Sequence, residues 1–370
     1  MPRIETIEAF AIRIPLKRTF GLSRMRISTR AAVVTRLVTD DGVKAEVYNG
    51  DNRAHAPAIA RLVTEELAPL CVGADVTAVE RIWESMFAVA EPARDRKLVL
   101  EAIACVDSAI WDAFGKSLNL SVSKLLGGYA DALPIIAIGG YYEDGKSPEE
   151  LAAEMAGLRT RGLAGCKVKV GGLEPEADAE RIAAAREGGG DGFVIAADAN
   201  CGWSVEAAIR FARLVEPYAL AWFEEPCHWY DDAAAMARVR ASCATPICAG
   251  QSEITSHGVR RLLEAGAVDI VNFDASESGG ITEWRRSAAM CSVFGVRLGH
   301  HEEPQIALHL LSAFANGGFV ECFADPERDP IWEGIVTNRP AIIDGVIQVP
   351  DGPGFDIRLD ADALQRYRWA

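Results

Sequence analysis

Residues 165–200 read GCKVKVGGLEPEADAERIAAAREGGGDGFVIAADAN. A short apolar run at 166–170 is followed by an amphipathic helical segment, a glycine-rich turn and a second apolar run at 193–197. Each run carries polar residues where it closes: Lys167 and Lys169 on the first, Asp198 and Asn200 on the second. The same unit recurs along the chain, and its rhythm predicts strands at 134–139, 166–170, 193–197, 220–223, 246–249, 269–273, 296–299 and 319–323. Strand–helix alternation implies a parallel sheet, and this many repeats favour closure into a (β/α)8 barrel, an α/β fold. In such a barrel the C-terminal strand ends form one face. The polar residues that close the runs therefore converge on one mouth.

Outward from this core, the N-terminal part reads as a separate α+β capping domain over residues 1–130. Residues 3–15 alternate as a strand, 31–40 form a second, DDG (40–42) signals a turn, and 43–50 complete a hairpin. Helical patterns follow, the longest being RKLVLEAIACVDSAIWDAFGKSLNL. The cation-rich KRTFGLSRMRISTR (17–30) reads as a loop between strands. The barrel domain is expected over 131–341, and residues 342–370 are expected to run back toward the cap.

Composition narrows the function class. The formal net charge is −15, so nucleic acid would be repelled. The N-terminus has no apolar core of a secretory signal, and no long apolar run suggests a membrane span. Nine cysteines with no C-x-x-C spacing read as reduced thiols, so a cytoplasmic location is expected. No G-x-G-x-x-G follows a strand, and GGYYEDGKS (139–147) lacks the phosphate-loop frame.

The strand ends carry the chemistry. Asp198, Glu224 and a residue at 251–253 close three consecutive strands, and three oxygen donors suit a hard cation such as Mg²⁺ better than zinc. Lys167 and Lys169 flank Val168, so both point to one face of their strand. Mutual repulsion and desolvation are expected to make one of them a usable base. Asp274 and His301 close successive strands further on, a carboxylate that can orient an imidazole as a base. His300 fills the same role by adjacency, and Glu321 is available as an acid or hydrogen-bond donor. Around the mouth, Arg24, Arg26 and Arg30 are candidate contacts to substrate, and Tyr141, Tyr142, His228 and Trp229 are candidate pocket walls.

Together these residues resemble the mandelate racemase subgroup of the enolase superfamily, over nearly the whole chain. The family's K-x-K motif matches Lys167-Val-Lys169, its metal ligands match Asp198 and the Glu224 of EEP, and its Asp–His dyad matches Asp274 and His301. The run HEEPQIALHLL favours His301 over His300, and the family's eighth-strand glutamate matches Glu321. One departure stands out: where the family has a third acidic ligand in a "GE" pair, this chain has Gly250-Gln251, with Glu253 two positions on. Either Gln251 ligates through its amide oxygen or Glu253 reaches the metal, and the second is slightly favoured.

The resemblance implies an enolase-type modified barrel, a Mg²⁺ cofactor and removal of the α-proton of a small-molecule carboxylate. Lys169 and His301 would act on opposite faces, with Lys167, Asn200 and His300 near the substrate. Within the subgroup, dehydration of an acid sugar to a 2-keto-3-deoxy acid is the expected outcome, ahead of racemisation or epimerisation. Muconate cycloisomerases and dipeptide epimerases carry a lysine where this chain has Asp274. A non-catalytic ligand-binding barrel is the alternative of another class. A homo-oligomer, dimer or octamer, is also implied.

Overall fold

The computed structural model describes residues 1–51, 54–92 and 94–369. Three antiparallel strands open the chain: β1 (Ile4–Gly21), β2 (Arg26–Thr39) and β3 (Lys44–Asn49), in spatial order β1-β2-β3. Residues 17–30 are therefore not a loop. They form the tip of a long hairpin whose turn is confined to 22–25. Pairing continues past Pro15, which cannot donate to a ladder, by a register shift between Pro15 and Phe20. Beyond that shift the outward cations broke the alternation expected of a strand. Arg18 is held there by Glu143 and Asp325 of the barrel, 2.9 and 2.7 Å away. The tip is also zipped to the first barrel loop, because Gly21 and Tyr142 exchange both backbone hydrogen bonds. A Cβ at Gly21 would meet the Tyr142 carbonyl at 2.7 Å, so this approach requires glycine.

The 23-residue helix Arg96–Leu118 starts at Asp95, whose side chain accepts from the Leu98 N–H, and ends at left-handed Asn119. It is apolar almost all round, because it lies between the cap sheet and the barrel. Its few buried polar groups tie the two together. Asp107 accepts from the Thr282 N–H and hydroxyl at 2.9 and 2.8 Å, and Asp112 accepts from the Phe355 N–H at 2.8 Å.

The barrel strands follow in order: β4 (Ala132–Gly139), β5 (Gly165–Lys169), β6 (Val194–Asp198), β7 (Phe223–Glu224), β8 (Ile247–Ala249), β9 (Ile270–Val271), β10 (Arg297–Leu298) and β11 (Val320–Cys322). Each pairs in parallel with the next up to β10, and β11 pairs in parallel with β4. The last junction is a single parallel bridge, Leu298 with Gly317. All eight expected strands are present, several of them shorter than expected. Between them run helices, but β11 is followed by the irregular turn Ile331–Ile335 and then by β12 (Ile342–Ile343) and β13 (Val346–Gln348). β13 pairs antiparallel with the start of β4, and Trp369 N–H donates to Ala11 O in the cap. No helix among the described residues is long and apolar enough to cross a membrane.

Inward-facing residues alternate along each strand, so the barrel interior is layered. Ile136, Ala196, Trp222, Cys248 and Ile270 pack the apolar floor. One step up stand Lys167 and Glu224, and at the mouth Lys169 and Asp198, all buried.

Candidate active site

The middle layer is a charge cluster closed on itself. Lys167 Nζ lies 2.5 Å from Glu224 Oε1 and 2.6 Å from Glu321 Oε1. Trp222 Nε1 donates to the other Glu224 oxygen at 3.0 Å. Above it, Lys169 Nζ lies 2.6 Å from Asp198 Oδ2, and Asn200 donates to both Asp198 oxygens through its backbone and side-chain N–H groups. Burial alone would depress both lysines, but the carboxylates outweigh it and hold both above the ordinary lysine value. The expectation that repulsion between them loosens one proton is thus reversed while Asp198 serves Lys169. Burial raises Glu224 to about 7 despite Lys167, whereas in Asp198 the two lysines overcome burial and lower it.

Across the mouth, His301 Nδ1 lies 3.1 Å from Asp274 Oδ2, and Asp274 Oδ1 accepts from the N–H and hydroxyl of Ser276. The other ring nitrogen of His301 lies 3.5 Å from Glu302 Oε1. Burial works against the imidazolium, but Glu302 and Asp274 flank it and raise His301 to about 10. His300 is a different kind of residue. Its Nε2 accepts from the Ala275 N–H at 3.1 Å, which leaves the proton on Nδ1, facing the carbonyls of His301 and Glu302. Burial lowers its pKa, and it stands as a neutral packing histidine rather than a substrate contact.

A cavity of about 520 Å³ separates the mouth from the cap, a size suited to a small ligand. Lys169, Asn200, Gln251 and His301 reach it from the barrel, and Leu22 and Ile27 from the hairpin tip. Tyr141 also lines it, as expected. Six other candidates are placed away from the cavity or in other roles. Arg24 is exposed and donates to Gly202 O, so it latches the hairpin tip to a barrel loop. Arg26 is exposed beside Asp144. Arg30 is fully buried among Asp51, Glu302, Glu303 and Asp329 in the cap–barrel seam. Tyr142 hydrogen-bonds Asp178 and Gly172 instead of facing the cavity. His228 and Trp229 lie on the loop after β7 and stack with Tyr230 outside the cavity lining.

The two candidates for the third oxygen separate cleanly. Gln251 lines the cavity, and its Oε1 is buried without a hydrogen-bond partner. Glu253 is turned against the helix Ser256–Glu264, where its carboxylate meets Arg261 at 3.3 Å. Asn200 Oδ1 is a second orphaned oxygen on the same side. Among the described residues no three His, Cys, Asp or Glu side chains gather as a metal site. The donor set that fits a hard cation is instead two carboxylates, Asp198 and Glu224, with amide oxygens in place of a third acid.

Sequence reasoning missed Glu302 and Arg328, and it gave Glu225, read with Glu224 at the end of LAWFEEP, no role of its own. Glu225 is buried and accepts from the Gly250 N–H, and burial raises it to about 7. Glu225, Glu302 and Glu303 take positive φ of 41°, 50° and 45°, as do Asn200 and Cys201 at 44° and 59°. Non-glycine residues in this region concentrate where a site dictates backbone direction. The paired acids of EEP and HEEP were the available signal.

Residues 150–363 match the enolase C-terminal domain-like family, and residues 5–127 match the N-terminal domain of the mandelate racemase/muconate lactonizing enzymes. The chain belongs to the enolase superfamily. It is 30% identical to a D-galactarolactone cycloisomerase of Agrobacterium fabrum, over 99% of each chain. A mandelate racemase/muconate lactonizing enzyme from a marine actinobacterium, solved in complex with magnesium, is 43% identical over the full length of both chains, with a TM-score of 0.93. An L-talarate dehydratase from Polaromonas sp. JS666, solved with magnesium and L-glucarate, is 26% identical over 100% of this chain and 98% of its own, with a TM-score of 0.90. Superfamily relatives of this chain thus include both dehydratases and cycloisomerases, and the chain is an enzyme of this group.

Proposed function

We propose that this enzyme removes the α-proton of a sugar-acid carboxylate and dehydrates it to a 2-keto-3-deoxy acid. The observation that carries this reading is the placement of Lys169 and His301 on one cavity, from strands β5 and β10 on opposite sides of the barrel. Magnesium held by Asp198, Glu224 and the Gln251 amide oxygen would supply positive charge to the substrate carboxylate. Lys167, kept as an ammonium between Glu224 and Glu321, adds a fixed cation beneath it.

The proton steps belong to the chain. Lys169 Nζ, once relieved of its own proton, accepts the α-proton. His301, resting as an imidazolium between Asp274 and Glu302, donates from Nε2 to the departing β-hydroxyl, which leaves as water. Asp274 and Ser276 fix the ring plane so that this nitrogen faces the cavity. The resulting enol tautomerises to the keto acid, so atoms balance as sugar acid to keto acid plus water.

Proton NMR of the magnesium-loaded protein in D₂O with a panel of sugar acids tests the reading. Loss of an α-proton signal with new methylene signals at the adjacent carbon is expected. A product of unchanged composition would move the assignment to isomerisation, the activity named for the Agrobacterium relative. Absence of exchange from every acid of the panel, with magnesium bound, would overturn proton abstraction itself.

A further inference from the structure

The barrel mouth divides into two arcs. The candidate metal donors Asp198, Glu224 and Gln251 close β6, β7 and β8 or follow directly, while Lys169 closes β5 and His301 follows β10. The remaining arc lies opposite the metal donors, between the two proton-transfer groups, where β11 pairs with β4. A substrate whose carboxylate lies at the metal donors, with its α-carbon between Lys169 and His301, directs its remote end into that arc.

Arg328 and Tyr141 stand there. Both line the same cavity as Lys169 and His301. Arg328 is 1% exposed, its guanidinium 4.0 Å from the centre of the Phe323 ring. Its Nε donates to the Tyr141 hydroxyl at 3.3 Å, and Nη2 lies 3.6 Å from Asp51 Oδ2. Nη1 is buried and has no hydrogen-bond partner. A guanidinium nitrogen without an acceptor, nine-tenths buried beside a ligand cavity, is costly unless a ligand completes it. The nearby acids are shared: Asp51 lies between Arg328 and Arg30, and Glu302 faces both Arg30 at 3.4 Å and His301 at 3.5 Å. Arg328 is therefore a rigid cation with one unfilled donor nitrogen, Nη1, able to meet a carboxylate oxygen.

We infer that Arg328 is the anchor for a second, remote carboxylate, so that the substrate is a sugar diacid rather than a monoacid. This rests on the proton-abstraction reading only for the direction in which the substrate lies. Tyr141 acts as a positioning residue, holding the guanidinium through Nε.

The test uses matched pairs of six-carbon aldarates and aldonates of the same stereochemistry, with the magnesium-loaded full chain. Turnover is measured on the wild type, and binding by calorimetry on Lys169→Met, which retains the cavity without proton transfer. For at least one pair the aldarate is expected to exceed its aldonate by about 100-fold in kcat/KM and in affinity. Arg328→Gln should erase that ratio by weakening the aldarate alone, and Arg328→Lys should restore part of it. Since Arg328 is buried, Tyr141→Phe provides a variant that keeps the ring, and it should lower the ratio through KM with kcat little changed. Equal use of both members of every productive pair, or a ratio unaltered in Arg328→Gln and Tyr141→Phe, would overturn the anchor. If no acid exchanges its α-proton yet aldarate binding still depends on Arg328, the anchor stands and the proton-abstraction reading falls.

Discussion

Two buried charge clusters sit within one molecule, and they differ in the cation at their centre. In the seam between cap and barrel, Arg30 is surrounded by Asp51, Glu302, Glu303 and Asp329 at 2.6 to 3.4 Å. In the barrel, Lys167 and Lys169 face Asp198, Glu224 and Glu321 at 2.5 to 2.6 Å. Both are desolvated and both hold perturbed carboxyls, so burial and altered acidity do not separate structure from chemistry. The cation does. A guanidinium does not give up its proton, so the seam can only hold; a lysine exchanges protons when its partner is drawn away. The lysine cluster also lies beside two orphaned amide oxygens, Asn200 Oδ1 and Gln251 Oε1, and opens on the cavity through Lys169.

The sharpest way to break this contrast is to remove one cation from each cluster. Lys169→Met should reduce turnover by about 1000-fold or more, with a smaller loss of stability than Arg30→Met, because one carboxylate, Asp198, loses a buried partner. Arg30→Met should do the opposite. The buried acids around it lose their cation, at a cost of about 3–5 kcal/mol of stability by urea unfolding. A Lys169→Met protein that unfolds, or an Arg30→Met protein as stable as wild type, would remove the distinction. His301→Asn should lose dehydration as fully as Lys169→Met, while α-proton exchange from the lysine side survives in D₂O.

The next contrast lies within the metal donors. Gln251→Glu places a third anion where the neutral amide now stands, and should tighten Mg²⁺ by about tenfold or more in calorimetric titration. Glu253→Gln should leave that affinity unchanged, because Glu253 faces Arg261. The reverse pattern would return the ligand to position 253.

These assignments show where the sequence was readable. Period-two alternation placed Lys167 and Lys169 on one face, and the apolar runs located every barrel strand, because inside a regular strand parity fixes direction. Beyond a strand end parity lapses. β8 stops at Ala249 and Gly250 turns with φ of 131°, so counting residues could not show that Gln251 faces the cavity and Glu253 does not. His300 and His301 follow the end of β10 in the same way, and their separate roles emerge from hydrogen bonds to Ala275 and Asp274. The hairpin tip was misread because its partners, Glu143, Asp325 and the Tyr142 backbone, lie far away in the chain. Arg328 had no local signal at all.

Acidity gives a smaller effect that sharpens the seam. Burial pushes the Glu303 carboxyl up to about 8 against the pull of Arg30, from an ordinary 4.5. Between these values the folded protein retains a proton that the unfolded chain releases. Stability from this group is therefore complete below about pH 4.5 and is lost as the pH rises through 8. Glu303→Gln, which keeps an acceptor for Arg30, should flatten that decline in urea midpoints measured from pH 5 to 8. An unchanged slope would show that Glu303 ionises normally beside Arg30.

The smallest expected effect concerns Arg24, one of the arginines of the hairpin tip. Its guanidinium donates to the Gly202 carbonyl from an exposed position at the hairpin tip, away from the cavity lining. A single part-buried hydrogen bond from an otherwise exposed side chain contributes about 0.5 kcal/mol. The tip has stronger fastenings in the paired Gly21 and Tyr142 backbones and in Arg18 between Glu143 and Asp325. Arg24→Ala should therefore change kcat/KM by about twofold or less and leave the unfolding midpoint nearly fixed. A large rise in KM without loss of stability would mean that the tip swings Arg24 inward when substrate binds. In that event the cap would supply a mobile cation to the site, in addition to the fixed guanidinium of Arg328 on the barrel side.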